Sequence, residues 1–393
     1  MVNFLRFAFS ARIGVASAFL IPRNQFSSNC LGSSRAKSAR LSPCSVSKIP
    51  EIGVEKSFTE LGDEYSTLRL LEHVNLNIPE HKYALPFYFD LLGFGLDPRR
   101  AENVVKGSGT IWMNCGASQL HLPFGEHAQK IPGSIGLLYN TLEPLKKRLQ
   151  KILLKGKEDN DSFLKECVIG VDEATGREHV KLVDIYGNVF FAREKIEEVR
   201  IPGADYGLKQ PLVSSSDEET FGPLASKYGR EETECIGISY VEFLVPPNTA
   251  PKIAQFYESV FDAPVSVIDI DDARQLAIIA FGKIDGNGRA DQSIIFREEE
   301  GYEIPPYDGH HIAMYIGENS KDFEQSFKHC ETAGVVWVNP RFKDKAPNLT
   351  GAKIYKQYRF KNLLNIENGK KIFELEHEMR SLEHQFWPVQ KND

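Results

Sequence analysis

The strongest constraint in this 393-residue chain is an internal repeat. His73-Val-Asn-Leu-Asn-Ile-Pro79 leads into Ala84-Leu-Pro-Phe-Tyr-Phe-Asp-Leu-Leu-Gly-Phe94, and Tyr240-Val-Glu-Phe-Leu-Val-Pro246 leads into Pro251-Lys-Ile-Ala-Gln-Phe-Tyr-Glu-Ser-Val-Phe261. Each copy alternates apolar positions as a half-buried strand does. A helix carrying Phe-Tyr follows, with a proline in its first turn, where the missing N–H would be unpaired anyway. Two further copies open at Gly133-Ser-Ile-Gly-Leu-Leu-Tyr139 and Gly309-His-His-Ile-Ala-Met-Tyr315. The first precedes a helix striped by Leu142, Leu145, Leu149 and Ile152. The second precedes one capped near Asn319 or Ser320, with Phe323 and Phe327 on its apolar face. Strand-like runs come after each helix, so the unit is one strand, one helix and about three strands, used four times.

Residues 201–234 hold Pro202-Gly203, Ser214-Ser-Ser-Asp217 and Glu231-Glu-Thr-Glu234, the composition of a solvated linker. Two halves follow, about 55–200 and 235–393, each with two copies of the unit. The class is α+β. With 41% hydrophobic and 11% aromatic residues, the chain can fill such a core.

Residues 1–50 differ in kind: ten Ser, seven Lys or Arg, and no Asp or Glu. They read as a removable targeting segment rather than as fold. Ala16-Ser-Ala-Phe19, followed by a basic, Ser-rich tract, resembles the two-part plastid presequence of diatoms and related algae. The implied address is the plastid (chloroplast), with a mitochondrial or secretory leader as the alternative. The rest of the chain then carries 40 basic against 54 acidic residues, a poor match for a phosphate backbone, so nucleic acid is not an expected partner. No run is long and apolar enough to span a membrane. The six Cys lack any CxxC pair, which argues for reduced thiols. Cys115 reads as an exposed turn residue without a paired base. Trp112 and Trp337 read as packing beneath the sheets.

The four units resemble the vicinal oxygen chelate superfamily, which includes glyoxalase I, the extradiol dioxygenases, the bleomycin- and fosfomycin-resistance proteins and methylmalonyl-CoA epimerase. The matching pieces are His73-Val-Asn-Leu-Asn-Ile with Phe87-Tyr88 and Leu92-Gly93-Phe94, the turn Asp184-Ile-Tyr-Gly-Asn188, and Asn365-Ile-Glu-Asn-Gly369 followed by Ile372-Phe-Glu-Leu375. The resemblance implies a glyoxalase-like fold, with four βαβββ units closing in pairs into two curled-sheet cups, either within a half or between halves. It also implies a divalent metal (Fe, Mn or Zn) held by a first-strand ligand and a last-strand carboxylate.

Carried onto this sequence, the resemblance points to the C-terminal half, with His311 on the first strand of the fourth unit and Glu374 on its last strand. The third unit departs from the pattern with Tyr240 at the first-strand position. Glu242 has the same parity and can supply a carboxylate instead. The expected metal set is Glu242, His311 and Glu374, with Tyr240 and Glu376 as candidate catalytic proton carriers. The alternative is a solvated strand face, in which Glu374, Glu376 and Glu378 pair with Lys370, Lys371 and Arg380 while His311 serves the core. In the N-terminal half, His73, Gln119 and His121 form a secondary pocket. Ile135 and Phe191 stand there where ligands would be, so this cup is the expected scaffold. Two functions remain open, a metal-dependent lyase, isomerase or extradiol-type dioxygenase acting on a small oxygenated metabolite, and a metal-free small-molecule binding protein. A homodimer is compatible with either.

Overall fold

The computed structural model describes residues 64–155, 163–172, 176–196 and 199–388. The targeting segment read in residues 1–50 lies outside them. After a short strand β1 (Glu64–Tyr65), the first unit comprises β2 (Leu68–Asn75), α1 (His81–Ala84) continuing as a π-helical turn through Leu91, β3 (Gly95–Leu96), α2 (Ala101–Lys106), β4 (Ile111–Cys115) and β5 (Ser118–Leu122). The second is β6 (Gly133–Tyr139), α3 (Glu143–Lys155), β7 (Leu164–Val171), β8 (Glu178–Asp184) and β9 (Val189–Glu194). After α4 (Glu218–Lys227), the third is β10 (Cys235–Val245), α5 (Ala250–Phe261), β11 (Val265–Asp269), β12 (Gln275–Ile284) and β13 (Ala290–Glu298). The fourth is β14 (His311–Ile316), α6 (Ser320–Thr332), α7 (Leu349–Tyr355), β15 (Gln357–Leu364) and β16 (Lys371–Ser381). Its missing third strand survives as a single bridge, Val336 to Phe360.

Local chemistry explains the helices. In α5, Pro251 sits in the first turn, and Ile253, Phe256, Tyr257 and Val260 recur on one buried face. In α6, Asn319 and Asp322 form a reciprocal capping box.

The pairing of units is the decisive feature. In every unit the first strand lies parallel to the last, as β2 with β5, β6 with β9, β10 with β13 and β14 with β16. Among the described residues, one sheet of nine strands then joins the second unit to the third through antiparallel β6 and β10. A sheet of seven strands joins the first to the fourth through antiparallel β2 and β14. Each sheet therefore draws on both halves, and neither half closes one alone. Val74, Ile312, Ile135 and Val241 point from the two sheets into one apolar core with Phe87, Leu145, Phe256 and Phe327 from the helices. Each such fully buried side chain contributes roughly 1.5–3 kcal/mol.

The stretch 201–234 differs from the solvated linker its composition suggests. It carries α4, and Arg230 donates to the carbonyls of Phe94 and Phe89 at 2.9 and 2.7 Å. Glu234 meets Arg148 of α3 in a two-pronged pair at 2.8 and 2.7 Å, so specific ion pairs override a loop-like composition. No described helix is long and apolar enough to cross a membrane.

Candidate metal centre

Strand register arranges the polar face of the seven-stranded sheet in rows. Trp112, His121, Asn75, His311 and Glu376 are successive neighbours across β4, β5, β2, β14 and β16. The adjacent row runs Asn114, Gln119, His73, Ala313, Glu378 and Arg359. Paired residues share a face of a sheet, so both rows project together, away from the apolar core. All eleven side chains are buried. Within the rows, one ligand atom each of His73, His311 and Glu378 lies within 4.8 Å of the other two.

A β-bulge adds a further carboxylate. Across β2 and β14, Ala313 faces His73 but Met314 faces Leu71, leaving Glu72 as the extra residue. Glu72 thereby reaches His73 on its own side of the sheet, binding Nδ1 through a short contact. It also accepts from Arg380 Nη1 at 2.9 Å. Arg380 Nε donates to Glu378 Oε1 at 2.7 Å, Arg359 holds the other Glu378 oxygen, and Arg359 Nη1 reaches Glu376 at 2.8 Å. Asn339 donates to both Glu376 oxygens at 3.0 and 2.9 Å. Phe342 places its ring edge on His311 at 5.6 Å between centroids, with the Arg359 guanidinium 4.1 Å above the ring. On the other flank, the His121 ring is sandwiched between Trp112 at 4.5 Å and His73 at 3.8 Å.

The electrostatics follow from burial and these partners. Burial drives the His311 imidazole well below its ordinary pKa, and Arg359 adds to the shift. Burial does the same for His121, helped by His73 and Arg380. Burial alone would raise Glu378, but Arg359 and Arg380 outweigh it and hold its carboxyl well below the usual range. Glu376 goes the other way: burial raises it more than Arg359 and Asn339 lower it. The cup thus offers the neutral imidazoles of His311 and His121 beside the ionised carboxylate of Glu378.

Those residues fit a divalent cation. Two imidazoles and one carboxylate are the donor set of first-row divalent metals, and His311 Nε2 stands 3.6 Å from Glu378 Oε2. His311 Nδ1, Asn75 Oδ1 and Glu72 Oε1 are buried without a hydrogen-bond partner, each a polar atom whose desolvation is uncompensated within the protein.

The expected site residues divide between the two sheets. His311 and Glu376 stand in the polar rows. Tyr240 and Glu242 do not join them, because β10 belongs to the nine-stranded sheet. The Tyr240 ring lies against Gly136, where an added Cβ would come within 2.3 Å of it, and burial raises the phenol to about 12. Glu242 accepts from Arg297 Nε at 2.6 Å and from Ser134 Oγ at 2.7 Å, a closed ion pair rather than a ligand. Glu374 shares the strand and parity of Glu378 but sits at the strand's outer end, bound to Lys361 at 2.8 Å and Lys371 at 2.7 Å. It fits the solvated-face alternative, whereas Glu376 and Glu378 do not.

The trio His73, Gln119 and His121, expected in a secondary pocket, forms the other half of the same cluster. Gln119 accepts from His121 Nε2 at 2.8 Å through Oε1 and donates to Asp97 at 2.7 Å through Nε2, fixing the row from below. Ile135 points into the core, and Ser134 and Gly136 take the cup positions beside it, with Phe191 opposite Gly136. Cys115 is buried rather than exposed. Trp112 stacks over His121 instead of packing beneath a sheet. Glu72 and Arg359 went unread in the sequence, and Arg380 entered only as a surface partner of the strand glutamates. Glu378 was legible only as a residue of matching parity, and nothing in Leu70-Leu-Glu-His73 announces a bulge.

No protein-family model matches the chain, and no curated protein matches it. Among solved structures, it is similar to glyoxalase I from Zea mays, at 12% identity over 80% of this chain and 92% of that one, with a TM-score of 0.45. It is also similar to 2,2',3-trihydroxybiphenyl 1,2-dioxygenase from Sphingomonas wittichii, at 10% identity over 80% and 90% of the two chains and a TM-score of 0.26. A 2,3-dioxygenase from Pseudomonas sp. KL28 stands at 12% identity, 81% and 93% coverage and a TM-score of 0.25. The fold is glyoxalase-like. Four strand-helix-strands units paired two and two define it here, and the glyoxalase-like cup that carries the histidines joins the first unit to the last.

Proposed function

We propose that this chain is a metal-dependent enzyme of the vicinal oxygen chelate type, a lyase, isomerase or extradiol-type dioxygenase acting on a small oxygenated metabolite. The observation that carries this reading is the convergence of His73, His311 and Glu378 within 4.8 Å from the first and last units. These three residues would hold the cation. When bound, a divalent cation there would supply Lewis acidity toward neighbouring substrate oxygens. The chain's own groups do the rest. Glu376, with its carboxyl raised by burial, is suited to holding and passing a proton at its Oε atoms. Arg359 and Asn339 keep that carboxyl aimed along the row. Buried Trp112, with half-buried Phe342 at the edge of His311, limits water at the cluster.

A second reading, a metal-free small-molecule binding protein of the same fold, is favoured by one observation: both Glu378 oxygens already accept from guanidiniums. Elemental analysis of protein purified without chelator separates the two. The enzyme reading expects about one divalent ion per chain, lost in His311→Ala and in His73→Ala but kept in Glu242→Gln. Metal-free protein that takes up neither zinc nor cobalt sinks it. For location, we hold to the plastid reading of residues 1–50, tested by whether that segment carries a fluorescent protein into plastids.

A further inference from the structure

The Glu72 bulge carries a cost. A bulge interrupts the ladder between β2 and β14 at the junction of the two units, where regular pairing would be most valuable. It also brings a carboxylate into a buried face, where an unpaired charge is expensive. The carboxylate is not idle: it holds His73 Nδ1 on one side and Arg380 on the other, and Arg380 in turn holds Glu378. One chain of charged groups therefore connects two members of the candidate metal cluster, His73 and Glu378, through a residue that belongs to neither row.

We propose that Glu72 is a positioning residue for the metal centre. By accepting from Nδ1–H of His73, it selects one tautomer and leaves Nε2 as the free donor nitrogen. Through Arg380, it couples the aim of His73 to the aim of Glu378. Stacking on His121 and the edge contact with His311 set the plane of the His73 ring but not which nitrogen carries the proton. A carboxylate behind a ligating imidazole raises the ligand's basicity and restricts its rotation, and losing such a partner commonly weakens metal affinity 10–100-fold. This inference rests on the metal reading above.

The test uses the full chain with cobalt(II) alone as the probe, its affinity measured by chelator competition and its coordination by visible absorption. Glu72→Gln is expected to weaken cobalt binding by about 10–100-fold and to change the absorption bands, while Glu374→Gln, on the same sheet but outside the cluster, leaves both unchanged. Cobalt bound equally by wild type and Glu72→Gln overturns the positioning role and leaves the metal reading standing. A wild type that binds no cobalt overturns both. Because Glu72→Gln leaves Arg380 with one carboxylate fewer and can fail to fold, a second measurement uses the unmodified sequence. Nitrogen-15 spectra of metal-free protein, with His73 assigned by its loss in His73→Gln, are expected to show the Nδ1–H tautomer. The Nε2–H tautomer would refute the proposal without any change at Glu72.

Discussion

Ala313 faces His73 directly across the antiparallel junction of β14 and β2, and it is the small side chain in a row otherwise filled by Asn114, Gln119, His73, Glu378 and Arg359. A larger residue there would project between His73 and Glu378. Ala313→Leu is accordingly expected to abolish zinc or cobalt uptake while the chain still folds, at an overpacking cost of roughly 1–3 kcal/mol. Elemental analysis with a thermal melt reads both quantities, and a Leu variant that keeps its ion would show that the cation does not sit over Ala313.

In the nine-stranded sheet the expected outcome is the reverse. Glu242 is buried against Arg297 and Ser134, so Glu242→Ala leaves Arg297 with Glu299, at 2.9 Å, as its remaining carboxylate. Stability should fall by roughly 1.5–3 kcal/mol with metal content unchanged. Denaturant unfolding and metal analysis on one sample decide it, and loss of metal without loss of stability would return Glu242 to the ligand set.

The strand-helix repeat, the four units and the inward parity of His73, His121, His311 and Glu376 were all legible in the sequence, because period and parity are local properties. Which units share a sheet was not. Parity says that His311 and Tyr240 each face a cup, but the partner of β14 is chosen by contacts hundreds of residues away, and β2 won over β10. The second-unit reading shows how narrow the margin is. Taking Ile135 as the cup position put the face one residue out, and Ser134 and Gly136 carry it instead. The bulge at Glu72 and the arginines that neutralise Glu376 and Glu378 depend on tertiary contacts that composition does not encode.

His384 lies buried in the segment after β16, next to Phe386, whose ring meets Trp112 at 5.5 Å. Burial, reinforced by Arg380, pushes its pKa from 6.5 to about 4. The folded value is below the unfolded one, so the docked segment is fully stabilised above about pH 6.5 and loses that stability as the pH falls toward 4, by up to about 1.4 kcal/mol per pH unit. Hydrogen-exchange protection factors of residues 381–388, taken relative to the intrinsic rate at each pH, should fall across that window in wild type. A flat pH response would refute the assignment, and His384→Asn should remove the dependence.

Phe342 covers His311 from the loop after α6. Removing its ring uncovers one side of that imidazole, so Phe342→Ala is expected to take up cobalt several-fold faster with little change in final stoichiometry. Stopped-flow absorption measures the rate, and an unchanged rate would mean that entry runs along the Trp112 flank.

The pairing of first unit with last also governs how the molecule comes into being. Glu72 and Arg380 are 308 positions apart, so a growing chain cannot assemble the histidine basin until nearly all of it has left the ribosome. The middle pair, contiguous along the chain, can form earlier and act as the template onto which the ends close. A break between 200 and 235 should consequently yield fragments that are inert apart and regain their shape when mixed.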